Sequence, residues 1–60
     1  MRFNEKMKVV KTVLTVNGTL YKDEIVKFQE MEENGDYRVK DSTGKIWFIV
    51  KENLKGKNND

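Results

Sequence analysis

The chain has 60 residues, with twelve basic and ten acidic side chains, a formal net charge of +2, and no cysteine, histidine or proline. These absences exclude disulfide staples, thiol nucleophiles, Ser-His-Asp catalysis and the usual thiolate and imidazole ligands of zinc. One small domain is the ceiling, because a chain this short buries only about 60% of its unfolded surface and depends on a single apolar core.

Charge is uneven along the chain. Residues 1–22 hold five basic and one acidic side chain, residues 23–41 three basic and seven acidic, and residues 42–60 four basic and two acidic. The longest unbroken apolar run, from Ile46 to Val50, is far too short for a membrane span. Charge at Arg2, Glu5, Lys6, Lys8 and Lys11 interrupts any signal-peptide core, so a cytoplasmic protein with no membrane contact is expected.

Residues 1–7 read as a flexible or partly docked N-terminal arm that Phe3 could anchor. Residues 7–16 are rich in β-branched side chains and predict a strand. Two alternations overlap there. Val10, Thr12, Leu14 and Val16 share one face, while Met7, Val9, Lys11, Val13 and Thr15 share the other. Either both faces are partly covered, or the strand bends and changes its buried side. Asn17-Gly18 then marks a turn, and Leu20 and Tyr21 resume an extended path.

Residues 23–34 are ambiguous by pattern alone. A helix would be capped by Asp23 and stopped by Gly35; a strand would alternate Val26 and Phe28 against Ile25, Lys27 and Gln29. The strand is preferred, because Asn34-Gly35 is a two-residue hairpin signal and Tyr37-Arg38-Val39-Lys40 is its return arm. Asp41-Ser42-Thr43-Gly44 predicts a second turn. Trp47 and Ile49 then point one way, with Ile46, Phe48 and Val50 pointing the other. Lys51-Glu52-Asn53 suits one 3₁₀ turn, Leu54 folds back as a plug, and residues 56–60 read as a disordered tail. The expected core is Val9, Val13, Leu20, Val26, Phe28, Val39, Trp47, Ile49 and Leu54.

About five short strands joined by tight turns suggest a sheet curled on itself. The segments LYKDEIVKF, NGDYRVKD and STGKIWFIVKENL, in that order, resemble an SH3-like small β-barrel of the bacterial and phage type, over residues 8–55. The resemblance implies an all-β, five-stranded barrel with a single 3₁₀ turn before the last strand, and a binding role. It also argues against a PxxP ligand. The family's groove tryptophan, proline and tyrosine would fall at Asp36, Val50 and Asn53.

Function is expected to be binding rather than catalysis, with no cofactor or metal. Ser42 is the sole serine and reads as a turn former. Glu30, Glu32, Glu33 and Asp36 cluster around the middle hairpin as solvated charge, or as a surface for a basic partner. DSTGK lacks the Ser or Thr and the helix that a phosphate loop needs after its lysine. The first expectation is a regulatory or adaptor module for a protein partner or a second copy of the chain, using Tyr21, Tyr37, Ile46, Phe48 and Val50. The alternative is a nucleic-acid-binding barrel using Lys22, Arg38, Lys40, Lys45 and Lys51, with Lys8 and Lys11 as further candidates. Convergence of the basic set on one face would favour that alternative; interruption by Glu30 and Glu32 would count against it. A structural or assembly component is the third reading.

Overall fold

The computed structural model describes residues 2–56 as seven short strands and one 3₁₀ turn. The strands are β1 (Lys6–Val9), β2 (Val13–Thr15), β3 (Gly18–Leu20), β4 (Ile25–Met31), β5 (Tyr37–Lys40), β6 (Ile46–Ile49) and β7 (Leu54–Gly56), with the 3₁₀ turn at Lys51–Asn53. Five strands form one antiparallel sheet in the order β6-β5-β4-β1-β7, and β2 and β3 form a separate two-stranded ladder.

The fold is all-β, as expected, and the 3₁₀ turn sits where the sequence placed it. The closed SH3-like barrel does not occur. β6 pairs only with β5 and β7 only with β1, so the sheet stays open with an edge at each end. Burial explains why closure is unnecessary. Leu20 of β3 is fully buried and Val13 of β2 packs against the same core, so the small hairpin contributes to the cover that barrel closure would otherwise supply. The edges are also short, four and three residues, which limits the backbone they expose.

The overlapping alternations of residues 7–16 resolve as a bend. β1 buries Met7 and Val9, the chain leaves the sheet at Val10, Lys11 and Thr12, and β2 returns as part of the other ladder with Leu14 exposed. This break raises the strand count from five to seven, together with the pairing of Gly18–Leu20 as its own strand. β4 is extended throughout, with Val26 and Phe28 inward and Ile25 and Lys27 outward. A β-bulge falls between Phe28 and Glu30.

The core contains Met7, Val9, Leu20, Val26, Phe28, Val39, Trp47, Ile49 and Leu54. It differs from the expected set in one exchange: Met7 is buried, whereas Val13 is only partly covered. Met7 lies opposite Val26 and Gly56, so the segment read as an arm contributes a core residue through β1. Phe3 stays exposed, but the chain beside it is tied down. Asn4 N–H donates to the Phe28 carbonyl at 2.6 Å, and Gln29 Nε2 donates to Asn4 Oδ1 at 2.9 Å. Of the expected tail, Gly56 belongs to β7, and residues 57–60 lie outside the described residues.

The turns follow their chemistry. The middle hairpin is closed by Glu32 N–H to the Asp36 carbonyl at 2.7 Å, so its loop holds three residues rather than two. Gly35 there has φ +93°, a conformation that costs a glycine little. The next turn is organised by Asp41. Its Oδ1 accepts from Thr43 N–H at 2.9 Å, Thr43 Oγ1 at 2.7 Å and Lys45 N–H at 3.0 Å.

Candidate interaction surface

Alternation along β6 sends Trp47 and Ile49 into the core and leaves Ile46 and Phe48 on the outer face. Phe48 is 57% exposed, and Ile46 and Val50 are also exposed. These three candidates are therefore brought together at one edge of the sheet. The other two are not. Tyr37 turns toward the core, its ring 5.1 Å from Phe28 in an edge-to-face arrangement. Tyr21 is exposed, but it lies in the turn after β3, where Glu24 Oε2 accepts its backbone N–H.

The backbone of β6 is as informative as its side chains. Asp41 N–H donates to the Lys45 carbonyl across the turn, which sets the alternation of the β5–β6 ladder. The rungs at Val39↔Trp47 and Tyr37↔Ile49 are then hydrogen-bonded. At Lys40↔Ile46 and Arg38↔Phe48 the backbone groups point away from the partner strand. The N–H and C=O groups of Ile46 and Phe48 thus face the open edge. Natural edge strands are often blunted by lysine, proline or a bulge; the strand Ile46–Ile49 carries none of these.

Acidic residues adjoin this edge. A depression beside Phe48 is lined by Glu32, Glu33, Asn34 and Asp36 of the middle hairpin. On the other side, Thr15 and Asn17 border a second depression with Ile46, Trp47 and Phe48. Lys45 closes that region: its ammonium sits 4.4 Å from the Trp47 ring centroid and donates to the Asn17 carbonyl.

The basic residues expected for nucleic acid are not gathered. Arg38 and Lys40 share the outer face of β5, but Arg38 is held by acids, with Nη2 2.8 Å from Glu32 Oε2 and Nη1 3.5 Å from Glu30 Oε1. Its guanidinium also lies 5.7 Å from the Phe48 ring centroid. Lys45 is committed to Trp47, Lys51 opens the 3₁₀ turn, and Lys22 lies in the turn before β4. Lys40 and Lys8 instead join three further lysines on the outer face: Lys6 and Lys8 lie on β1, Lys27 on β4, Lys40 on β5 and Lys55 on β7. Lys8 and Lys40 are among the candidates read from the sequence; Lys6, Lys27 and Lys55 are not, because their alignment depends on β1 pairing with both β4 and β7. The one available signal was the shared parity of Lys6 and Lys8 opposite the buried Met7 and Val9.

Among the described residues, Asp41 is the one carboxyl with a marked shift. Partial desolvation pushes its pKa up. Bonds donated by Trp47 Nε1, the Thr43 hydroxyl, and the backbone N–H groups of Lys45 and Thr43 outweigh that, and the pKa falls from 3.8 to about 2. Every polar contact made by Asp41 is internal to the turn and β6, which marks it as a structural group. Among the described residues, no three His, Cys, Asp or Glu side chains gather to hold a metal ion, and no helix is long and apolar enough to cross a membrane. No protein-family model, curated protein or solved structure matches the chain.

Proposed function

We propose that this chain is a small, non-enzymatic protein-interaction module of the cytoplasm, and that it docks an extended segment of its partner on the free edge of β6. The observation that carries the reading is the conjunction at Ile46 and Phe48: both side chains are exposed on the outer face and both backbones point to the open edge. An added strand would gain main-chain hydrogen bonds from that edge and apolar contact with Ile46, Phe48 and Val50. Glu32, Glu33 and Asp36 beside Phe48 favour a partner segment that alternates apolar with basic side chains.

Immobilised wild-type protein, a Phe48→Asp variant and a Tyr21→Ala variant, all checked for retained β-sheet signal, test the reading in cell lysate. The wild type is expected to capture a partner that Phe48→Asp loses and Tyr21→Ala keeps. Equal capture by all three contradicts docking at β6. Edge pairing between two copies of the chain is the competing use of the same strand. Sedimentation separates it, because a 7.1 kDa species at high concentration excludes the homodimer.

A further inference from the structure

The outer face of the sheet carries an unbalanced row of charge. Lys6 stands directly opposite Lys27, and Lys27 directly opposite Lys40, so three ammonium groups line up across three neighbouring strands. Adjacent strands lie about 4.8 Å apart, and like charges directly opposite one another destabilise a sheet. Among the described residues, the ion pairs are Lys8–Asp23, Arg38–Glu30 and Arg38–Glu32, and none reaches this row. Edge protection does not explain it either. Lysines serve that purpose on edge strands, whereas β1, β4 and β5 are the three interior strands of the sheet.

The row continues into a wider basic surface. On the same face Lys8 lies opposite both Ile25 and Lys55. Two shallow depressions meet at Ile25. One is lined by Lys8, Lys22 and Lys55, the other by Lys27 and Lys40. The acids at their rims are engaged: Asp23 pairs with Lys8, and Asp41 is occupied by the turn and Trp47. Six lysines thus form a track: five line the two depressions and Lys6 stands beside Lys27, and the carboxylates that share those depressions are Asp23, paired with Lys8, and Asp41.

From this charge complementarity we infer that the outer sheet face binds the phosphodiester backbone of a nucleic acid, without base readout. Phosphates laid along the track neutralise the Lys6–Lys27–Lys40 repulsion that folding leaves in place. A concave track suits a strand-shaped polyanion better than the flat headgroup plane of a lipid surface. The row ends at Lys40, which stands opposite Ile46, so the track adjoins β6 on the same face; its lysines lie on β1, β4, β5, β7 and the turn before β4, and the site does not rest on the protein-docking reading.

Fluorescence anisotropy with labelled oligothymidylate and a matched DNA duplex, between about 50 and 200 mM salt, tests the site. For a single strand touching all six lysines, the slope of log K against log salt is expected near −4, from about −0.7 per contact. The triple variant Lys6→Gln/Lys27→Gln/Lys40→Gln is expected to lose about 2 of that slope. The charge-matched triple Arg2→Gln/Lys11→Gln/Lys51→Gln, none of whose positions lies in the lysine rows of the sheet face, is expected to keep most of it, and so is Phe48→Asp. If the first triple fails to fold, Lys27→Gln alone is expected to shift the slope by about 0.7. Three results overturn the inference: no binding to either oligonucleotide at the lowest salt, equal losses in the two triples, or binding only to phosphatidylcholine–phosphatidylserine vesicles.

Discussion

The indole N–H of Trp47 donates to Asp41 Oδ2 at 2.8 Å, tying the middle of β6 to the first residue of the turn that precedes it. The other carboxylate oxygen, Oδ1, accepts three bonds from Thr43 and Lys45. One side chain therefore sets the turn, fixes the rotamer of the core tryptophan and holds β6 in register against β5.

An amide in place of this carboxylate cannot accept on both sides, so Asp41→Asn loses either the Trp47 bond or the turn bonds. The expected cost is about 1.5–3 kcal/mol, the range for hydrogen bonds to a charged group. Because the folded pKa is about 2 and the ordinary value 3.8, the unfolded chain takes up the proton first as pH falls. The stabilisation from Asp41 is full above about pH 4 and is lost progressively toward pH 2. Urea midpoints of wild type and Asp41→Asn should converge as pH drops through that window. Parallel curves would contradict the assignment.

Phe28 is the aromatic centre of the core, set on β4 opposite Val39 and edge-to-face with Tyr37. Phe28→Ala is expected to cost about 3–5 kcal/mol. In a domain of this size that approaches the whole stability, so the variant should show no cooperative thermal transition. A folded, cooperative Phe28→Ala protein would mean that the core is not organised around β4.

Gly18 opens β3 with φ +130°, a conformation that side-chain-bearing residues rarely adopt. A Cβ there would also stand 3.2 Å from Lys45 Nζ, although that flexible end can move. Gly18→Ala is expected to destabilise by about 1–3 kcal/mol, mostly from backbone strain. Chemical denaturation checks it, and an unchanged midpoint would show that the β2–β3 turn is looser than described.

Lys27 faces a lysine on each side, Lys6 and Lys40. Lys27→Glu converts two repulsive cross-strand pairs into attractive ones and is expected to raise stability by about 0.2–1 kcal/mol per pair. A stabilised variant that no longer binds oligonucleotide would separate the role of the row in binding from its cost in folding. A destabilised one would show that Lys27 has a structural partner.

Much of this fold is legible in alternation alone. Val26 and Phe28, Val39, and Trp47 and Ile49 alternate cleanly with outward residues, and each is buried. The turn residues Asn34-Gly35 and Ser42-Thr43-Gly44 mark the β4–β5 and β5–β6 hairpins, and Leu54 returns to the core after the 3₁₀ turn. Failures occur where local pattern is silent about long-range pairing. Nothing near Met7 says that it will lie opposite Val26, and two valid alternations in residues 7–16 hide the break at Val10, Lys11 and Thr12. Closure into a barrel is what the strand count, the tight turns and the SH3-like resemblance suggest, and the buried Leu20 and the short edges reduce what closure would hide. For the site, exposure of Ile46, Phe48 and Val50 followed from alternation, whereas the lysine row needed the strand order. Tyr21 and Tyr37 are candidates by residue type alone, and their positions in a turn and against Phe28 remove them from the β6 patch.

Amide hydrogen exchange along β6 tests most directly whether the sheet is open where docking is proposed. In dilute monomeric protein, the Trp47 and Ile49 N–H groups, paired with β5, should exchange slowly. The Ile46 and Phe48 N–H groups should exchange at rates near those of an unstructured chain. Strong protection of Ile46 and Phe48 in the monomer would mean that another strand already covers this edge, and the account of an open β6 would fail.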